Sequence, residues 1–256
     1  MSRAARAAER LAGWLWPRRC PLCGALLGPE AADRLLCPRC APAAAALAQT
    51  PPRLPEGAYA FYALSGAAAA FRYEGPVRRA ILRCKGRGEP WYARELADLI
   101  AVRVYGAAPA PRPGGRPQPE TIAGLPAYHL VVPVPPRGRG GSRLPVRRAR
   151  RLGRVLGVPA ALPLRTTRPM RPQKTLDRAA RLENTRGAYV CRPGTDLSGM
   201  RVLLVDDVIT TGATVSACAL ALLQAGAVSV FAVSVAADPP PSPQPRPAPP
   251  AQEKLP

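Results

Sequence analysis

Two short groups of residues in this chain have the types and spacing to do chemistry. In the first, at residues 201–214, Val202, Leu203, Leu204 and Val205 run into Asp206 and Asp207, and Thr210, Thr211, Gly212, Ala213 and Thr214 follow. Paired carboxylates accept hydrogen bonds from sugar hydroxyls. A loop of hydroxyls and small residues opens its backbone N–H groups to a phosphate. A phosphorylated sugar is a ligand that needs both. The second group is a pair of C-x-x-C units, Cys20-Pro-Leu-Cys23 and Cys37-Pro-Arg-Cys40, with thirteen residues between them. Each unit can put two thiolates on one metal, and four thiolates complete a closed tetrahedral zinc site. Two disulfides, or a redox role for one pair, are the competing uses. The N-terminal residues lack the apolar core of a secretory segment, so an intracellular chain with reduced thiols is expected.

The first group works only if the chain around it positions it. Four consecutive apolar residues suit a parallel strand buried on both faces. Ligands of open parallel sheets bind beyond the carboxyl ends of the strands, and Asp206 and Asp207 are expected there. Successive side chains of a strand point to opposite faces, so the two acids need not do the same job. Gly212 permits positive φ and close approach of a ligand to the backbone. A helix starting near Ala213 presents unpaired N–H groups and the positive end of its dipole, which suits phosphate. The bland alternative is a strand ending in an Asp helix cap with threonines as turn formers.

The rest of the chain reads as strands alternating with helices, which implies a parallel α/β sheet. A cysteine module is expected over residues 15–45, preceded by an amphipathic segment over 1–14 and followed by an Ala/Pro linker to Pro55. Residues 59–73 are aromatic and β-prone and suggest a hairpin. Residues 76–84 and 91–105 have helical spacing. A buried strand is expected at 129–134, a basic helix at 144–156, a weak strand at 158–164, the motif strand at 200–205, its helix at 213–224 and a last strand at 228–236. The main domain then covers 58–236. The Pro/Gly-rich stretch 106–120 reads as a disordered insertion and 237–256 as a disordered tail. His129, alone at a strand start, is expected to be structural, and Cys84, Cys191 and Cys218 to be small core residues.

Two further basic stretches accompany the strands. Val132-Pro-Val-Pro135-Pro-Arg137 ends a strand in a Pro-locked turn that can hold a pyrophosphate through backbone N–H groups and Arg137, the other use being a solvated basic loop. Residues 165–184, with Gln173, Lys174, Arg178 and Asn184, suit either a mobile flap over an anionic ligand or an exposed loop. The net charge of +21 and the pI near 11.1 point to polyanionic partners such as nucleic acid. The basic residues are 34 Arg and only three Lys, a bias that GC-rich coding also produces. The arginines at 147, 148, 150, 151 and 154 are either backbone contacts for a nucleic acid or a solvated helix face. Aromatics make up only 5% of the chain, so no large base-stacking platform is expected. No apolar run reaches the ~18 residues of a membrane span.

The string from Val202 to Thr214 resembles the phosphoribosyl diphosphate (PRPP) loop of type I phosphoribosyltransferases. In order, the Cys pairs, Tyr73-x-Gly75 with Lys85-Gly86, Val132-Pro-Val-Pro135, Gln173 to Tyr189 and the PRPP-like loop look like a ComF-family protein. One departure is Arg139-Gly-Gly-Ser-Arg143, where that family usually shows R-G-F-N-Q. The resemblance implies a type I phosphoribosyltransferase-like parallel-sheet fold carrying a small N-terminal four-cysteine zinc module. It implies that Asp206 and Asp207 contact the ribose, and that Thr210, Thr211, Gly212, Ala213 and Thr214 hold the 5′-phosphate. PRPP would arrive with Mg²⁺ bridging its pyrophosphate and ribose hydroxyls. The family is associated with natural competence, with single-stranded DNA and helicase-type partners in the bacterial cytoplasm. Two functions follow: a protein that grips a phosphoribosyl group, or an active transferase in which the aspartates stabilise charge on the ribose and Arg137 holds the leaving pyrophosphate. No general base for an acceptor stands out.

Overall fold

The computed structural model describes residues 19–27, 35–87, 90–107, 128–136, 143–167 and 187–239. The expected N-terminal amphipathic segment, nearly all of the 106–120 insertion, most of the 165–184 flap, Arg137 and the tail beyond residue 239 lie outside them, whereas Ala237, expected in the tail, belongs to the last strand. Its elements are α1 (Ala41–Ala46), a 3-10 turn (Glu56–Ala58), β1 (Gly66–Arg72), α2 (Gly75–Arg87), α3 (Pro90–Tyr105), β2 (Leu130–Pro133), α4 (Leu144–Leu156), β3 (Leu164–Thr166), β4 (Tyr189–Cys191), β5 (Arg201–Ile209), α5 (Ala213–Gln224) and β6 (Ser229–Ala237). Four strands form one parallel sheet in the order β1-β6-β5-β2, and β3 and β4 form a separate antiparallel pair. The fold is therefore the parallel α/β class that the alternating pattern implies, with the cysteine group near its N-terminal end.

The sheet centre is β5, whose Val202, Leu203, Leu204 and Val205 are all fully buried. Leu203 and Val205 pack with α2, α3 and α4, whereas Val202 and Leu204 pack with α5 on the other face. This double burial explains the unbroken apolar run. The outer edge of β1 is covered by the chain at 47–54, which pairs with it through Leu54 N–H to Ala67 O (2.8 Å) and Ala69 N–H to Pro52 O (2.9 Å). Such cover removes an exposed strand edge. No described helix is long and apolar enough to cross a membrane.

Several expectations are corrected. Residues 59–73 form no hairpin: the 3-10 turn precedes a single strand, β1, which runs parallel to β6. The expected linker before Pro55 is that edge cover. The weak strand at 158–164 is reduced to a bridge between Ala160 and Val131, and β3 begins only at Leu164. The motif strand runs on to Ile209, so the two acids lie within it.

The basic helix is corrected most. Arg147, Arg150 and Arg154 of α4 are exposed, but Arg148 and Arg151 are buried beside Leu144, Leu152 and Val155. Arg151 forms a two-pronged pair with buried Asp98 of α3, Nε to Oδ1 at 2.7 Å and Nη2 to Oδ2 at 3.0 Å. These two arginines are neither a solvated face nor nucleic-acid contacts.

Candidate functional site

Parallel register brings the predicted site residues to one end of the sheet. β2 ends where Pro133 faces Val205, and Val134 N–H donates to Val205 O at 2.9 Å. Beyond that point no strand among the described residues pairs β5 on the β2 side, so Asp206 and Asp207, though inside β5, lie past the carboxyl end of its neighbour. Pro135 follows on the β2 side, half-buried. Thr210 and Thr211 leave β5, and Gly212 turns the chain into α5.

Gly212 is the N-cap of α5 at φ 84°, and no acidic residue lies in the helix's first turn. The capping alternative for the aspartates is therefore not what the chain adopts. A side chain at residue 212 would meet the Phe61 ring at 2.7 Å as well as the strain of a left-handed backbone. The segment at 59–61 clamps this loop. Ala60 N–H donates to Thr211 O at 2.7 Å, and Ser216 Oγ of α5 donates to Ala60 O at 2.6 Å. Tyr59 stacks on Phe61 with ring centroids 5.0 Å apart, and its hydroxyl donates to Asp238 O at 2.6 Å. The turn is thus held by this segment, and the start of α5 has its positive dipole end and no carboxylate in its first turn, an arrangement that receives anions.

The two acids stand in different surroundings. Asp206 Oδ1 accepts the backbone N–H of Asp207 at 2.7 Å. Asp207 reaches the face of the sheet occupied by α2 and α4, where its Oδ2 lies 2.9 Å from Lys85 Nζ. Burial opposes ionisation of Asp207, but the charges of Lys85 and Arg148 outweigh it and hold its carboxyl below the usual range. Burial also works against the Lys85 ammonium, and Asp207 more than offsets it, raising that group. Lys85 and Arg148 are site neighbours that the residue patterns did not single out as ligand-binding. A signal existed for Lys85: it is one of three lysines beside 34 arginines, where arginine is the default cation. His129 is at the opposite end of the sheet and is structural, its Nδ1 accepting Arg201 N–H at 3.0 Å.

The four N-terminal cysteines come together. Their ligand atoms lie within 4.8 Å of one another, and Cys23 and Cys37 Sγ are 3.6 Å apart. Thiolates about 2.3 Å from a tetrahedral zinc stand about 3.8 Å from each other, so the donor set fits such an ion, and all four are free of disulfides. Two tight turns build the group, closed by Gly24 N–H to Cys20 O (2.7 Å) and Cys40 N–H to Cys37 O (3.0 Å). Burial opposes ionisation of Cys23, yet the Ala25 backbone and hydrogen bonds with Cys40, Arg39 and Cys37 lower its thiol to about 6. Burial pushes Cys20 and Cys40 upward. The group is joined to α2, where Arg83 Nη2 donates to Leu22 O at 3.0 Å and the guanidinium lies 4.9 Å from the Tyr92 ring. Cys84 and Cys218 are buried core residues, and half-buried Cys191 donates its thiol to Ala221 O at 3.3 Å.

Comparison with protein-family profiles and with curated proteins finds no match. Among solved structures, the chain is similar to the glutamine phosphoribosylpyrophosphate (PRPP) amidotransferase from B. subtilis complexed with ADP and GMP, at 22% identity and TM-score 0.33. The match spans 55% of this chain and 25% of that one, so about a quarter of that protein's length is matched. A structure of the allosteric regulatory enzyme of purine biosynthesis gives 20% identity, TM-score 0.33, and 55% and 25% coverage. TT1426 from Thermus thermophilus gives 18% identity, TM-score 0.29, and covers 57% of this chain and 83% of that one.

Proposed function

We propose that this chain binds a phosphoribosyl ligand such as PRPP at the carboxyl end of β5. The observation that carries the reading is the continuity of Asp206 and Asp207 with a helix start at Gly212 that has no carboxylate in its first turn, with Thr210, Thr211 and Thr214 between and beside them. The 5′-phosphate would take the N–H groups of the 210–214 turn, and the ribose would lie against the acids. Pro135 and Arg137 would approach the pyrophosphate, with Mg²⁺ brought by the ligand. The cysteine group would hold structural zinc. The resemblance in motif order extends the reading to a ComF-like protein of the bacterial cytoplasm, acting on single-stranded DNA with helicase-type partners. The exposed Arg147, Arg150 and Arg154 would be its phosphate contacts.

Isothermal titration of the protein with PRPP and Mg²⁺ tests the ligand. Binding is expected, and replacing Asp206→Asn together with Asp207→Asn should abolish it without changing metal content. Retained PRPP affinity in that double variant would overturn the assignment. Release of pyrophosphate with one nucleobase would turn the binding reading into a transferase. Strand binding that weakens steeply with salt would support the nucleic-acid part.

A further inference from the structure

We propose that Lys85 is a ligand-binding residue of this pocket, meeting the anionic group at the end of a phosphoribosyl ligand remote from the 210–214 turn, and that Asp207 is the positioning residue that holds its ammonium there. The inference rests on the phosphoribosyl reading above and deepens it. The two acids of the motif then divide their work: Asp206 addresses the ribose, and Asp207 addresses a lysine.

Asp207 has little to offer a sugar. Its side chain is only 17% exposed, and its Oδ2 is already 2.9 Å from Lys85 Nζ. Arg148, 2% exposed, also acts on the Asp207 charge, and its Nε has no hydrogen-bond partner among the described residues. With the Asp206 carboxylate, which also acts on the Lys85 charge, two cations meet two carboxylates and the four groups are formally neutral. Arg148 is enclosed and cannot reach a ligand without rearrangement. The Lys85 side chain, by contrast, is 49% exposed. An ammonium has three donors, and among the described residues its hydrogen-bond partner is Asp207.

The spacing fits a two-ended ligand. Asp207 precedes Thr210 by three residues, which along a strand is about 10 Å. That is on the scale of the distance between a phosphate on one side of a ribose and a phosphate on the other. The 210–214 turn takes one anion, and Lys85 stands where the second would arrive. Lysine suits this place: a compact ammonium can serve a carboxylate and a phosphate oxygen together, whereas a planar guanidinium would need both aligned to its fork.

Titration of the intact protein with PRPP and with ribose 5-phosphate, which lacks the second anion, tests this. Lys85→Met should weaken PRPP binding by about 10- to 100-fold, the size of one charge-assisted hydrogen bond, and ribose 5-phosphate binding by less than about twofold. Asp207→Asn should show the same selectivity, and should add less than about twofold when combined with Lys85→Met, because it acts through that lysine. Lys85→Arg should bind PRPP more tightly than Lys85→Met. Equal loss of both ligands in Lys85→Met and Lys85→Arg would make the lysine structural and overturn the proposal, as would unchanged PRPP affinity. A wild-type protein that binds ribose 5-phosphate and PRPP equally well would overturn it while sparing the phosphoribosyl reading. A wild-type protein that binds neither would end both.

Discussion

Asp206 and Asp207 are adjacent in the chain and differ in chemistry. Alternation along β5 sends Asp207 toward Lys85 and Arg148, while Asp206 stays against the backbone at the head of the turn. The lowered carboxyl of Asp207 has a stability consequence whose sign is fixed. Its contribution is fully present above the ordinary value of 3.8 and is lost as pH falls through the lower folded value. The raised Lys85 ammonium contributes below its ordinary 10.5 and is lost as pH rises beyond that. The melting-temperature difference between wild type and Asp207→Asn should therefore be flat from about pH 5 to about pH 9 and shrink below about pH 4. A difference that shrinks between about pH 5 and 7 would contradict the pairing. At this scale the motif was legible because it is contiguous: strand, acids, turn and helix start follow one another in fourteen residues. Lys85 was visible as a rare lysine, but its place beside Asp207 was not, because only the fold brings α2 to the end of β5.

The elements carry a second lesson, in α4. Arg148 and Arg151 are spaced with Leu144, Leu152 and Val155 on the stripe that an amphipathic helix turns to the core. The spacing was visible in the sequence. The reason a cation can stand there was not, since the compensating Asp98 belongs to α3. Breaking that buried pair with Asp98→Ala should destabilise the protein by about 3–5 kcal/mol in urea unfolding, because buried Arg151 loses its two-pronged carboxylate partner. A loss below about 1 kcal/mol would mean that the pair is effectively solvated. In β1, Ala67, Ala68, Ala69 and Ala70 are extended despite alanine's helix preference, because β6 on one side and residues 47–54 on the other bury them. That tertiary override has no local signature. The length of β5 was also hidden, because its end is polar: Asp206 and Asp207 continue the ladder against β6, with Asp206 opposite Ser234.

For the molecule as a whole, the cysteine group is continuous with the core. Cys20, Leu22, Leu35, Leu36, Cys37 and Cys40 belong to the same buried cluster as Val77, Ile81, Tyr92 and Leu96. Metal at the thiols would therefore brace α2 and α3, and α2 is the helix that delivers Lys85. Cys23→Ser should lower metal content and reduce the melting temperature by about 5 °C or more in one transition. An unchanged melting temperature would mean that the group contributes nothing to the core. The thiol spacing was readable from C-x-x-C geometry alone, but the shared core was not, because it depends on contacts with helices that follow far along the chain. The most direct test of the central claim is a crystal of the protein soaked with PRPP and Mg²⁺. The account predicts the 5′-phosphate on the N–H groups of the 210–214 turn and the ribose beside Asp206. PRPP bound elsewhere, or no PRPP density at a concentration that saturates binding in solution, would contradict it.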